Sequence, residues 1–373
     1  MTSASSCCNV VVRALSEQNT NLPTFKIQNP GTLASLLLPD NMSGIRMVEV
    51  TDNTGRTIIN RAKYFRNPRD VVNDGWSNFC TPGATSGQDF KDFPADITKS
   101  VKLTLDEAEF RDFCGIPSDG NASDISLTAF GLEQTRAKAN QLLKAVSNAF
   151  AVQLAANVGK FQDGSIVKNA NLLKTDGSVN ANGEVLVKRS FENIELPTDD
   201  IIAVGSGNLS EYFYKRQYAC CSEAGIDVSK VTSPFRYFRD TAIDSVMAGD
   251  NNFITFAPGS AVPFFRRWFI GPYEKNGSDG TNIRKIVIDL PFLFNGISAT
   301  IPVNFTVKYI ECGSTDEDAS PENGPDSKWV LTWTINAGLA TIPSNIEISG
   351  SPFQGVNNIL HFIATCGNSA YCS

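Results

Sequence analysis

The sequence predicts a mixed α+β fold. Three observations carry that expectation: alternating strand patterns near the start and through the last third, one uninterrupted helical run, and a strand–turn–helix unit after it. With 373 residues, 42% hydrophobic and 19% charged, the chain holds enough apolar material for a large core or for two or three subdomains.

Residues 1–44 read as an arm. They are polar, carry Pro23, Pro30 and Pro39, and include one short apolar run, Leu33 to Leu38, which is not expected to close a core. Ile45-Arg-Met-Val-Glu-Val50 alternates and meets the turn signal Asn53-Thr-Gly55. A second extended stretch, Arg56 to Asn60, completes a predicted β-hairpin. The region beyond, to about Pro94, reads as irregular. Val101 to Thr104 predicts a short strand. Thr104-Leu-Asp-Glu107 fits a capping box for a helix to Cys114, with Gly115 as its left-handed stop.

The strongest helical signal follows. Leu132, Arg136, Ala139, Leu143, Val146, Phe150, Leu154 and Val158 recur at three-to-four spacing, and Gly159 closes the run. A helix over about 128–158 is roughly 45 Å long at 1.5 Å per residue. Gly164 to Arg189, with the alternating Gly183-Glu-Val-Leu-Val-Lys188, predicts strands. Ile201 to Val204 predicts a buried strand. A turn at Gly205-Ser-Gly-Asn208 and a helix to Ala224 follow, with Asn208 and Glu211 as an N-cap pair. Phe253 to Gly259 and Phe264 to Ile270 predict strand, turn and strand. Lys285 to Leu290, Thr300 to Ile310 and Trp329 to Asn336 predict further strands. Between the last two lies an acidic loop, Gly313 to Ser327. Ser344 to Ser373 reads as a tail with a short apolar stretch, Ile359 to Ile363.

Composition narrows the chemistry. The net charge of −7 disfavours tight wrapping of nucleic acid, which calls for a basic surface. The one histidine, His361, would have to serve any triad, dyad or multi-histidine metal site alone. His361 and Cys366 are close enough in sequence for a nucleophile pair, but a tail is a poor place for a rigid site. Nine cysteines include the adjacent pairs Cys7-Cys8 and Cys220-Cys221 and no C-x-x-C, so a zinc site is not expected. The odd count argues against a fully paired secreted framework, and with a start, Met1 to Val12, that lacks a basic n-region before a long apolar stretch, an intracellular product with mainly reduced thiols is expected. No stretch reaches the roughly 18 apolar residues of a membrane span.

The Gly205 turn resembles a phosphate-cradling loop but lacks the lysine of a P-loop, so a plain strand-to-helix turn is favoured. Asp199-Asp200 and Asp240 with Asp244 are paired carboxylates better suited to helix starts or loops than to acid–base work. The aromatic-basic runs Phe235 to Arg239 and Phe264 to Phe269 suit a subunit interface better than a nucleic-acid platform. Charges are sorted along the hairpin region: Arg56, Arg61, Lys63, Arg66 and Arg69 come first. Asp70, Asp74, Asp89, Asp92 and Asp96 follow with only Lys91 among them. Such sorting suits pairing with a neighbouring copy, with Arg61, Arg66 and Arg69 meeting that copy's acids. A solvated loop is the plain alternative.

Taken in order, these elements resemble the major capsid proteins of tailed phages and herpesviruses, the Hong Kong 97-like (HK97-like) fold. The resemblance covers roughly residues 45–345. Within it lie Gly207-Asn-Leu, Phe235-Arg-Tyr-Phe-Arg-Asp240, Phe253-Ile-Thr-Phe-Ala-Pro-Gly259, Ile286-Val-Ile-Asp-Leu-Pro291, and Val307-Lys-Tyr-Ile-Glu-Cys312 with Trp329 after it. It implies an N-terminal arm (1–44), an extended β-hairpin loop (45–100) and a peripheral domain (101–198) with a spine helix at 128–158. An axial α/β domain (199–281), return strands (282–345) and a C-terminal tail (346–373) complete it. The implied function is a major capsid protein assembling as hexamers and pentamers into an icosahedral or prolate shell around double-stranded DNA. Implied partners are other copies of itself, portal, scaffold, protease or decoration proteins, and packaged DNA held by weak non-specific contact. No membrane, cofactor, metal or enzymatic role is implied. The implied location is the virion capsid, assembled in the host cytoplasm. Alternatives are a phage tail-tube or sheath protein, a nucleotide-binding α/β enzyme using the Gly205 turn, and a secreted adhesin.

Overall fold

The computed structural model describes residues 30–42, 46–51, 58–65, 88–113, 129–175, 178–194, 196, 198–205, 207–219, 235–267, 283–294, 296–310, 328–341 and 358–366. The chain divides into two compact units. One takes in Met1–Gln28, Ala95–Val146 and Phe265–Ala337; the other takes in Asn29–Pro94, Ser147–Phe264 and Gly338–Ser373. Among the described residues no helix is long and apolar enough to cross a membrane.

The first unit is built on an antiparallel sheet of β4 (Ile97–Asp106), β10 (Ile283–Phe294), β11 (Ile297–Ile310) and β12 (Lys328–Thr341), in the order β10-β11-β12-β4. Its strands are longer than their sequence patterns suggest. Phe294 pairs with Ile297, so β10 and β11 form a tight hairpin, and Gly296 within it takes φ +81°. Asn-Gly is the strongest short hairpin signal, and only glycine adopts that φ without cost. Pro302 is tolerated inside β11 because the ladder to β12 starts two residues later, at Asn304. Phe110 stacks on Trp329 with ring centroids 4.1 Å apart, and Phe305 packs on Trp333 at 5.1 Å.

Phe110 belongs to α3 (Glu107–Phe113). The capping box lies two residues beyond its expected place. The Asp106 N–H donates to Glu109 Oε2 at 3.0 Å, and the Glu109 N–H donates to Asp106 Oδ1 at 2.7 Å. Thr104 stays in the strand because β4 keeps pairing with β12 through Asp106.

The long helix is present as α4, Ala129–Ala156. Its 28 residues span about 42 Å. Ala139, Leu142, Leu143, Val146, Phe150, Ala151 and Leu154 form its buried stripe. The division between the units falls after Val146, within this helix.

The second unit contains two sheets. Strands β1 (Arg46–Thr51) and β2 (Ile58–Phe65) form the expected hairpin, with Met47 opposite Ala62. The stretch beyond Asn60 was expected to be irregular. Instead β2 runs on to Phe65 and pairs with a third strand, β3 (Gln88–Phe93). The other sheet has the order β5-β13-β8-β6-β7, with β5 at Val167–Leu173, β6 at Ile201–Gly205, β7 at Phe235–Phe238, β8 at Asn252–Phe256 and β13 at Ile359–Cys366. Strand β13 is parallel to β5 and antiparallel to β8, and β6 is parallel to β7. The stretch expected to be a tail thus supplies a central strand. All five residues of β6 are buried, as a strand covered on both faces requires.

Helices α5 (Ala181–Asn193) and α6 (Gly207–Ala219) pack on one face of this sheet. Val187, Phe191 and Tyr212 join Ala203, Phe253, Leu360 and Phe362 there, and Phe362 meets Phe161 edge-on at 5.1 Å. Helix α5 corrects the strand expected at Gly183 to Lys188. Asn180 caps it by accepting from the Asn182 N–H at 3.1 Å, and the buried positions Gly183, Val187, Ser190, Phe191 and Ile194 follow the helical period. Helix α6 starts at Gly207, so Asn208 lies inside it and not at the expected cap.

The run at 33–38 also differs from expectation. Helix α1 (Gly31–Leu36) is wholly buried and packs on β6 and β7, while the turn α2 (Pro39–Met42) follows. Asn41 ties this segment down. Its side-chain N–H groups donate to the carbonyls of Leu36 and Ala261 at 3.1 and 2.6 Å, and its Oδ1 accepts from the Gly259 N–H at 2.8 Å. Apolar residues that were too few to make a core alone complete the core of another segment. Strand β9 (Ala261–Arg266) and helix α7 (Thr241–Val246) complete the described elements.

Candidate functional site

Four of the sorted charges, Arg61, Lys63, Asp89 and Asp92, fall on the β1-β2-β3 sheet. Register places Arg61 opposite Asp92, and the two form a forked pair: Nε donates to Oδ1 at 2.7 Å and Nη2 to Oδ2 at 3.0 Å. Hydrogen bonding to Arg61 lowers the Asp92 carboxyl below its usual range, and the same bond raises the guanidinium. Arg61, expected to meet a neighbour's acid, therefore has an acid of its own chain. Strand pairing brings complementary charges together locally before any second copy is involved. Lys63 stands opposite Phe90, and Asp89 opposite Tyr64. Asp96 is exposed just before β4. Arg56, Arg66, Arg69, Asp70 and Asp74 lie outside the described residues, as do the helix stop at Gly115 and the acidic loop at 313–327.

The glycine turn after β6 is closed by protein atoms. Gly205 has φ +124°, and a Cβ there would stand 2.8 Å from Ile243 Cγ2 and 2.9 Å from the Asn252 carbonyl. The Asn208 N–H, at the start of α6, donates to the Asp250 carbonyl at 3.3 Å. Asp250 Oδ2 lies 3.5 Å from where a Gly207 Cβ would be. A carboxylate beside this helix start opposes a bound phosphate, which needs the same N–H groups and the same positive end of the helix. Tyr237 donates to the Gly205 carbonyl at 2.9 Å and also bonds Ser210.

The first aromatic-basic run is an edge of the core. Phe213 stacks on Tyr237 at 4.9 Å and meets Phe235 edge-on at 6.5 Å. Arg236 Nη2 lies 2.8 Å from Asp40 Oδ2 and 2.7 Å from Asp200 Oδ2. Burial raises the Asp200 carboxyl against the pull of Arg236, with the Asp40 charge adding to the rise. Arg239 Nη2 holds Asp244 Oδ2 at 2.5 Å. Both arginines, expected at a subunit interface, are paired inside one chain. In the second run, Phe264 is buried and Arg267 pairs with Asp289 at 2.6 Å, while 268 and 269 lie outside the described residues.

Asp240, expected at a helix start or in a loop, caps α7 by accepting from the Ala242 N–H at 3.0 Å. It also does what the sequence does not reveal. Its Oδ2 accepts from the Thr32 N–H at 2.9 Å and from Ser147 Oγ at 3.0 Å, and Ser147 Oγ accepts from the Leu33 N–H at 3.2 Å. One buried carboxylate thus joins three chain segments. Its only sequence signal was an acidic residue directly before a helix.

His361 stands on β13, on the face opposite Leu360 and Phe362. Its Nε2 lies 2.9 Å from Asn252 Oδ1. The amide nitrogen of Asn252 donates to the Met247 carbonyl at 3.1 Å, which leaves Oδ1 as acceptor and makes Nε2 the protonated ring nitrogen. Burial pushes the imidazole pKa down to about 4, so the ring is neutral near pH 7. The sheet orders this residue, but no nucleophile–base geometry is described around it. Among the described residues no group of three or more His, Cys, Asp or Glu could hold a metal ion.

No protein-family model matches the chain, and no curated protein matches it. Solved structures do. A chain from Mycobacterium phage Che8 is similar at 10% identity and a TM-score of 0.40, covering 93% of this chain and 96% of that one. A chain from the capsid structure of the cyanophage P-SCSP1u has 8% identity, a TM-score of 0.35, and coverage of 88% and 90%. A chain from the bacteriophage PhiM1 mature capsid has 9% identity, a TM-score of 0.35, and coverage of 82% of both chains. Over most of its length the chain resembles chains from phage capsid structures.

Proposed function

We propose that the chain is a shell-forming structural subunit, a major capsid protein of the tailed-phage type, which works by repeated self-association and not by catalysis. The observation that best supports this reading is the order and pairing of its described elements. The β1-β2-β3 sheet precedes a 28-residue helix, a sheet with helices packed on it follows, and β10 to β12 return to pair with β4, the strand before that helix. This is the order of hairpin loop, spine, axial domain and return strands that the sequence resemblance implies. The residues able to do chemistry fit it as well. Asp240, Arg236, Arg239 and His361 are bonded into the fold, and none is described facing another across an open pocket.

In this reading copies associate as hexamers and pentamers of a closed shell, and double-stranded DNA is enclosed without being gripped, in keeping with the net charge of −7. The β1-β2-β3 sheet and its flanks overlie a neighbouring copy. Arg61 and Asp92 stiffen the sheet, and Arg66 and Arg69 meet acids of the neighbour. Portal, scaffold, protease or decoration proteins are further partners of such a shell, in a virion assembled in the host cytoplasm.

Sedimentation velocity on the expressed full chain tests this. Particle-sized species are expected for the native sequence. The double variant Arg66→Glu with Arg69→Glu should shift the material to small species while its far-UV circular dichroism stays unchanged. Particles of normal size from that variant would remove the assigned interface. A native chain that runs only as a small oligomer and binds a nucleotide would favour the enzyme reading.

A further inference from the structure

The β1-β2-β3 sheet is tied down where the chain enters it and where the chain leaves it, and both ties reach strand β9. The chain enters through Asn41, shortly before β1 begins at Arg46. Asn41 is wholly buried. Its amide nitrogen donates to the carbonyl of Ala261, the first residue of β9, at 2.6 Å, and to the Leu36 carbonyl at 3.1 Å. Its Oδ1 accepts from the Gly259 N–H at 2.8 Å, in the turn before β9, where Gly259 takes φ +81°. One side chain thus bonds the backbone on both sides of Ser260, with donor and acceptor both in use, which calls for a side-chain amide.

The chain leaves at Pro94, directly after the buried Phe93 that ends β3. Here the tie runs through Gly338 on β12, which sits against the Pro94 carbonyl and the ring of Phe264 on β9. A Cβ at Gly338 would stand 2.5 Å from the Pro94 oxygen and 2.4 Å from Phe264 Cζ, so no side chain fits without displacing one of them. Asn41, Pro94, Ala261, Phe264 and Gly338 all belong to the second unit.

The spacing of the ties matches the sheet they hold. Ala261 and Phe264 are three residues apart on β9, about 10 Å along an extended strand. In the register of the sheet, the entry lies at Arg46 opposite Lys63 and the exit at Phe93 opposite Asn60, again three residues apart on β2. A body held at one point can swivel about it, whereas one held at two separated points keeps its direction.

We propose that Asn41 and Gly338 are positioning residues, a two-point mount on β9 that fixes the direction in which the β1-β2-β3 sheet meets a neighbouring copy. The neighbouring copy comes from the shell-forming reading, on which this step rests; the mount itself does not depend on it. Contacts repeated between identical copies close into rings only when the rotation from one copy to the next is right, and otherwise run on as open arrays. A binding surface has to be held to about 0.5 Å and 10–20° for its contacts to form. An alanine at 338 would push Pro94 or Phe264 back by about 1 Å to reach ordinary carbon contact, which exceeds that tolerance.

The mount is tested by the distance between spin labels at Glu49, exposed on β1, and Val246, exposed on α7. The labels enter as non-natural amino acids, because nine cysteines preclude thiol attachment. The full chain is measured at a concentration below that of any assembly. The native chain should give one narrow distance. Asn41→Ala and Gly338→Ala should each shift its maximum by more than the native width. Gly183→Ala, which crowds α5 against β5 away from the mount, should leave it unchanged. Native-like distances in both mount variants overturn the proposal, and so does an equal shift in Gly183→Ala, which would mark general loosening. Should Gly338→Ala fail to fold, Phe264→Leu, which withdraws the ring from Gly338, should broaden the distance; an unchanged distance overturns the exit tie. Electron microscopy then reads the consequence. Asn41→Ala and Gly338→Ala should give open or misshapen assemblies, and closed shells of native size from both would overturn the control of direction over closure. A native chain that forms no shells removes the shell-forming reading, and the distances alone then decide the mount.

Discussion

Single side chains hold this protein together at places far from their neighbours in sequence. Asp240 is the clearest case. Replacing it by alanine leaves the Thr32 and Ala242 N–H groups and Ser147 Oγ without their acceptor inside the second unit. A buried donor left unsatisfied costs about 1–3 kcal/mol, and relaxation shares the loss, so Asp240→Ala should cost about 2–4 kcal/mol in a denaturant titration. Asp240→Asn keeps one acceptor oxygen and should lose less. Equal stability of Asp240→Ala and the native chain would remove the carboxylate from this role. Gly183 gives a test of opposite character. Glycine to alanine inside a helix usually gains up to about 1 kcal/mol. A Cβ at Gly183 would stand 2.6 Å from the Asn171 carbonyl oxygen and 2.8 Å from Leu172 Cδ2. Close packing of α5 on β5 reverses the sign, and Gly183→Ala should destabilise by about 1–3 kcal/mol.

Elements were legible where their period was long and misread where it was short. The eight-position stripe from Leu132 to Val158 left no choice but a helix, and α4 lies within three residues of its expected ends. Gly183-Glu-Val-Leu-Val-Lys188 alternates over six residues, which a strand and a helix can both do. Only the wider spacing of Val187, Phe191 and Ile194, with Asn180 as cap, separates them. The capping box slipped for a related reason: two acids, Asp106 and Glu109, outcompete Thr104 and Glu107 because the strand does not end until Asp106. We expect Asp106→Ala and Glu109→Ala each to cost about 1 kcal/mol, whereas Thr104→Ala, on an exposed strand position, should stay within about 0.5 kcal/mol. A reversed ranking would return the cap to Thr104. The last strand was illegible from local pattern. Its short apolar run gains meaning only from β5 and β8, far earlier in the chain, between which it inserts. Fully burying Ile359, Leu360 and Phe362 stabilises by about 1.5–3 kcal/mol each, a large share of the 5–15 kcal/mol that holds a domain folded. A chain ending before Asn358 should therefore lose the folded second unit. A truncated chain with native circular dichroism and an unchanged melting temperature would contradict the central place of β13.

For the whole molecule, what survived from sequence to structure is succession: hairpin, long helix, strand–turn–helix, return strands. Individual contacts were less legible. Arg61, Arg236 and Arg239 were each read as facing outward partners, and each is paired within the chain. Linear charge patterns report sign and spacing, while strand register and the burial of 30–38 decide who meets whom, and those are three-dimensional facts. The proposed shell-forming role rests on the succession and on chemically able residues being bonded into the fold. Electron microscopy of the purified, expressed full chain under negative stain tests it most directly. Closed, polyhedral shells of uniform size are the expected result; open tubes or stacked rings, or a field of separate small globules at every concentration and salt tried, would contradict it.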